Sequence, residues 1–200
     1  LEHADPDLDA IWMCECRHES TKVWSHKART AMFLAAMRHF AETLRERGFT
    51  VHYRALDHHA HTTLDAALAA ELKALSPKRV RLTAPGEWDL AQSLPAAVAA
   101  AGLECVVVGD THFLCPQEDF NTWLGARKQP RMEHFYREMR RRTGWLMRDG
   151  EPLGGQWNYD SDNRESFGRD GPGGLPAPLR FEPDAITREV FATVETHFAQ

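Results

Sequence analysis

Glu15, Glu19, Lys22 and His26 stand at the C-terminal end of an apolar run that closes at Cys16, and Lys27 and Arg29 come just after them. Carboxylates at the carboxyl edge of a parallel sheet hydrogen-bond polar heterocycles, and cations beside a helix N-terminus oppose its dipole until an anion joins them. Glu15 and Glu19 fit either ligand contact or an internal role; His26 and Lys27 fit surface or structural roles better. A second candidate is Ala84-Pro85-Gly86-Glu87-Trp88. A glycine turn between strand and helix lets backbone N–H groups approach a ligand, and Gly86 and Glu87 sit at such a turn, although a plain turn with a packing tryptophan reads the same. The third is the basic segment with Arg137, Arg140, Arg141 and Arg142, followed by Trp157, Tyr159 and Arg164. Arginines interleaved with aromatics hold phosphates and stack on bases, or dock an acidic protein face.

Charge sharpens that third candidate. From Arg127 to Arg148 eight Lys/Arg face two acids, a local +6 in a chain of net charge −5. A basic stripe on an acidic body suits nucleic acid, a neighbouring domain, or a solvated helix face. Met132, Phe135, Met139 and Leu146 in the same segment read as core. Cys14 and Cys16, two apart on a strand, share a face; buried reduced thiols are the simplest reading, with a disulfide or a Cys14/Cys16/His18 metal site as alternatives. His58, His59 and His61 read as a polar loop. No CxxC pair, P-loop, GxGxxG fingerprint or nucleophilic triad is present, which argues against standard nucleotide hydrolases and dinucleotide dehydrogenases.

These residues need a scaffold, and the pattern predicts an α/β one. The chain has 200 residues, 42% hydrophobic and 26% charged, enough for a buried core. Strands are expected over Asp9–Cys16, Thr50–Leu56, Lys78–Thr83 and Leu103–Val108. Helices are expected over Trp24–Arg47, with Phe33, Met37, Phe40 and Leu44 as its stripe and Gly48 as its stop, then Thr62–Leu75 and Ala91–Ala101, with a break at Pro95. Alternation of this kind predicts a parallel, doubly wound Rossmann-like sheet with helices on both faces. Helices over Pro116–Gly125 and Arg131–Leu146 follow without strands between them. Residues 149–180 hold seven Gly and four Pro and read as an irregular connector. A last helix after Asp184 carries Ile186, Val190, Val194 and Phe198 as a stripe that needs cover. No run reaches the roughly 18 apolar residues of a membrane span, and a cytoplasmic protein is expected.

Three segments carry a family resemblance. They are Trp24-Ser25-His26-Lys27-Ala28-Arg29 leading to Ala36-Met37-Arg38-His39-Phe40-Ala41, then Arg131 to Gly144, then Gly154-Gly155-Gln156-Trp157-Asn158-Tyr159-Asp160-Ser161-Asp162-Asn163-Arg164. Together they resemble the photolyase-related group of prokaryotic (6-4) photolyases and iron–sulfur cryptochromes, over nearly the whole chain. The resemblance implies an antenna-type α/β domain over residues 1–126, a basic helix and connector over 127–180, and the first helix of a flavin domain over 181–200. It implies a lumazine-type antenna chromophore in the crevice, contacted by Glu19, with Lys22 standing where the family has an aromatic. FAD and a 4Fe–4S cluster are implied for the full-length family, whose partner is duplex DNA with a photolesion, but their sites are not expected in this chain. The family's central strand comes first and ends in Gly-Asp-Gln. Here the polar Leu1–Asp7 leads straight into what resembles the second strand, so that strand is expected to be missing and the chain alone inactive. Rival readings are a nucleotide- or flavin-binding α/β domain for sensing or electron transfer, and a non-catalytic docking module.

Overall fold

The computed structural model describes residues 4–160 and 166–198. The elements in the first part of the chain alternate: β1 (Ala10–Cys14), α1 (Arg17–Thr21), α2 (Lys27–Glu46), β2 (Thr50–Arg54), α3 (Leu64–Leu75), β3 (Arg79–Thr83), α4 (Trp88–Ala100) and β4 (Glu104–Val108). Helices α5 (Gln117–Leu124) and α6 (Met132–Thr143), a small hairpin of β5 (Met147–Arg148) and β6 (Glu151–Pro152), and α7 (Ala185–His197) follow. They gather into two compact units, one running to Val108 and resuming at Arg180, the other spanning Gly109–Leu179.

In the first unit β1 pairs in parallel with β2, from Ala10 opposite Thr50 to Cys14 opposite Arg54. Strand β3 pairs in parallel with β4, from Arg79 opposite Glu104 to Thr83 opposite Val108. The α/β alternation is therefore as expected, but the strands form two parallel pairs instead of one continuous sheet. Among the described residues β1 and β3 are not hydrogen-bonded to each other. Apolar contact joins the pairs instead. Leu68 and Leu72 of α3 pack with Leu94 and Val98 of α4, and Trp12 of β1 and Val80 and Leu82 of β3 close on that cluster. Pro95 does not break α4.

Helix α2 shows how local signals and packing divide the work. His26 accepts a hydrogen bond from the Ala28 N–H (3.1 Å) on Nδ1 and so caps the helix at its start. Gly48, at φ +88°, ends it by donating to the Arg45 carbonyl at 2.9 Å. The helix expected from Trp24 begins at Lys27, with Trp24 exposed ahead of it, and α1 is a separate short helix upstream that was not expected. The expected stripe holds at Leu44 and, partly buried, at Met37, and is corrected at its two phenylalanines. Phe33 and Phe40 face outward, and the buried face runs through Ala31, Leu34, Arg38, Ala41 and Leu44. The cause is α7, whose Val190, Val194 and Phe198 pack on Ala31, Leu34 and Leu56. The apolar stripe of α7 thus finds its cover within this unit.

Glu15, just past β1, is 1% exposed. Its Oε1 accepts from Arg38 Nε (2.7 Å) and from the Tyr53 hydroxyl (2.6 Å), and its Oε2 accepts from Arg38 Nη2 (3.0 Å) and the Leu56 N–H (2.9 Å). Arg38 also pairs with Glu189 of α7 at 3.2 Å. Burial alone would raise the Glu15 carboxyl, but the bonds from Arg38, Tyr53 and Leu56 outweigh it and hold the group below its ordinary value. A carboxylate so depressed adds stability that is complete above its unfolded value, about 4.3, and is lost as pH falls through the folded value. Glu15→Gln should therefore cost about 3–5 kcal/mol at neutral pH, because Arg38 loses its buried charge partner and keeps only the exposed Glu189, and should weaken the acid dependence of unfolding. Denaturant titration across pH checks this; an unchanged midpoint at neutral pH would refute it.

Candidate functional site

Two sequence-distant loops of the first unit meet. Glu19 and Lys22, from α1 and its end, face Glu87, Trp88 and Asp89 at the start of α4 across an open cleft of about 430 Å³ that Val23 and Arg29 also line. Lys22 Nζ ties the two sides together, 3.4 Å from Glu87 and in a short ion pair with Asp89. The bond to Asp89 raises the Lys22 ammonium and lowers Asp89. Burial raises the Glu19 carboxyl above its ordinary value, and the nearby Glu87 charge adds to that. Glu19 therefore holds a proton further toward neutral pH than a free carboxylate would. The cleft thus combines a protonatable acid able to donate, two cations, two further carboxylates and an indole 78% exposed. A flat polar heterocycle needs those features for hydrogen bonding and stacking.

The other predicted residues of this site have different places. Glu15 does not line the cleft and has both oxygens engaged internally, so it offers no free acceptor to a ligand. His26 is the cap of α2. Gly86 does not line the cleft, and a Cβ there would meet nothing within 4 Å, so no close backbone approach requires its glycine. Val23 and Asp89 were not singled out in the sequence. Asp89 had a legible signal, an acid in the first turn of a helix, but its ion pair with Lys22 spans 67 positions.

In the second unit Phe135 of α6 packs against Phe120 and Trp123 of α5 at ring separations of 5.2 and 5.0 Å. The expected core stripe on α6 is corrected at its ends: Met132 is 76% and Leu146 is 61% exposed. Arg140 replaces them as an inward residue. It is 6% exposed and donates to the carbonyls of Trp145 (3.4 Å), Leu146 and Trp157 (3.3 Å) and to the Tyr136 hydroxyl (3.3 Å). The Trp157 ring carries the guanidinium groups of Arg141, Arg137 and Arg140 at 4.9, 5.3 and 5.4 Å from its centroid. Arg137 pairs with Glu133, Arg141 with Glu138 and Arg142 with Asp119. The run of positive charge is thus partly neutralised within the unit, and Arg140 is a clamp that presents no free cation. Arg164 lies outside the described residues.

An α/β body with a polar, indole-edged cleft between its strand-end loops, joined in one chain to an arginine–tryptophan cluster, is the class of protein described here. The sequence matches the deoxyribodipyrimidine photo-lyase-related protein family over residues 1–200, and the chain belongs to that family. It is 38% identical over 201 residues to a (6-4) photolyase of Agrobacterium fabrum (strain C58 / ATCC 33970), a match that takes in 99% of this chain and 39% of that protein. The chain therefore spans about two fifths of the length of the curated relative it matches.

Removing Arg140 would strip the donor from several carbonyls and from Tyr136 at once. Arg140→Ala should destabilise the segment Trp145–Trp157 by about 2–3 kcal/mol in local opening. Hydrogen exchange of its amides measures this; exchange there at the unmodified rate would show that Arg140 is no clamp.

Proposed function

We propose that this chain is the antenna-type α/β part of a light-driven DNA repair protein acting on pyrimidine photoproducts, and that its cleft holds a lumazine-type chromophore. The observation that carries the reading is the meeting of Glu19, Lys22 and Arg29 with Glu87 and Trp88 around one cleft. Glu19, with its raised carboxyl, is the donor to a heterocycle carbonyl. Trp88 supplies the stacking face that Lys22 does not. Such a chromophore, when bound, absorbs light and passes the excitation on; the cleft residues orient it. The parallel pairs β1–β2 and β3–β4, unpaired with each other, suit a doubly wound sheet with a strand position between them. FAD and a 4Fe–4S cluster belong, on this reading, to other parts of the repair protein.

Glu19→Ala should weaken lumazine binding by about 1–3 kcal/mol, and binding to the unmodified protein should weaken as pH rises and Glu19 loses its proton. Fluorescence titration with a ribityl-lumazine checks both; undiminished affinity in the variant would remove Glu19 from the site.

For the arginine–tryptophan cluster we infer docking of a flavin domain in preference to phosphate contact, because Arg137, Arg141 and Arg142 each have an acid partner within the unit. The chain should then bind duplex DNA feebly, with a shallow salt dependence, while a separately supplied flavin domain associates with it and loses that association on Arg137→Glu/Arg141→Glu. Tight binding to DNA whose salt slope falls by about two units in the same double variant would reverse the assignment.

A further inference from the structure

The second cavity of the first unit, about 170 Å³, is bordered by Cys14, Arg54, His58, His59, His61 and Glu71. It stands apart from the Lys22 cleft, and nothing in the proposed function uses it. At its edge Cys14 Sγ lies 3.6 Å from Cys16 Sγ and 3.4 Å from His59 Nε2, and all three atoms fall within 4.8 Å of one another. His18, the histidine near these thiols in sequence, is exposed on α1 and takes no part. The fold brings in His59, 45 positions from Cys14, instead.

We propose that Cys14 Sγ, Cys16 Sγ and His59 Nε2 bind one zinc-class d¹⁰ cation. The spacing fits. Zinc bonds of about 2.3 Å to sulfur and 2.0–2.1 Å to nitrogen, set at tetrahedral angles, place two sulfurs about 3.8 Å apart and a sulfur and nitrogen about 3.5 Å apart. Charge fits as well: two thiolates and a neutral imidazole bring a divalent ion to zero net charge, which a buried site requires. The thiols are 7% and 5% exposed. The cavity leaves a fourth position for water, as three-ligand zinc sites do.

In the metal-free cluster the Cys14–Cys16 hydrogen bond already draws the two sulfurs together at the place a cation would occupy. His59 Nδ1, buried and without a hydrogen-bond partner, has room to take up the imidazole hydrogen when Nε2 binds. Binding displaces the thiol protons to solvent. The hydrogen that His59 Nε2 directs at the Glu15 carbonyl, 2.8 Å away, moves to Nδ1.

The test uses the purified, reduced and chelator-treated chain. One equivalent of zinc should bind, cobalt in its place should show thiolate-to-metal charge transfer with intense tetrahedral visible bands, and Cys16→Ser or His59→Ala should lower affinity about 100-fold or more. A measurement without variants covers the case in which they misfold: zinc should slow alkylation of Cys14 and Cys16 but leave Cys105 and Cys115 unaffected. Absence of zinc-dependent protection, or zinc affinity unchanged by Cys16→Ser, would overturn the proposal. So would recovery of Cys14 and Cys16 as a disulfide from protein isolated without added oxidant.

Discussion

A carboxylate taken out of water must have its oxygens engaged and its charge met, and Glu15 satisfies both demands only if β1, β2 and α2 are in register together. Arg38 supplies charge and a two-pronged bond from α2, Tyr53 a hydroxyl from β2, and Leu56 the N–H just beyond that strand. The strand pairing Cys14–Arg54 brings these groups to the same level. Because Arg38 also reaches Glu189, the network extends to α7, which the apolar contacts of Val190 and Val194 hold on α2. Replacement by apolar groups of similar volume would satisfy burial equally well. What such a substitution would lose is directionality, since hydrogen bonds specify a register where apolar packing tolerates several.

The cleft lined by Glu19, Lys22 and Glu87 depends on a different balance. Its charges sit in water, where single ion pairs contribute little to stability, so the Lys22 bridge to Glu87 and Asp89 matters less for holding the fold than for setting the polarity of the opening. Burial first, and the nearby Glu87 charge second, keep Glu19 ready to hold a proton. The same residues that make the cleft hospitable to a heterocycle would be poorly suited to a phosphate, because the acids outnumber what a phosphate would accept.

In the second unit cations serve mostly to build structure. Trp157, ringed by three guanidinium groups, and the carbonyls gathered by Arg140 replace an apolar core that a segment rich in Gly and Pro has too few large side chains to form. Arginine suits that purpose because its planar fork donates in several fixed directions while its face stacks on an indole. A stretch with strong positive charge can therefore be an internal fastener.

Much of this was legible in the residues themselves. Local signals act over a few positions, so the alternation of strands and helices, the stop at Gly48 and the cap at Asp184 needed no tertiary information. The photolyase-related character likewise resided in contiguous segments. Partnerships across long separations were not legible, because no local rule selects among many acids, cations or histidines. Glu15 as an internal anchor in place of a ligand contact, Asp89 as the partner of Lys22, Arg140 as a clamp and His59 in place of His18 beside the thiols were all decided by which loops the packing brings together. The inward face of α2 was settled the same way: with Phe33 and Leu34 adjacent in the chain, the choice between them fell to α7, the element that covers the helix.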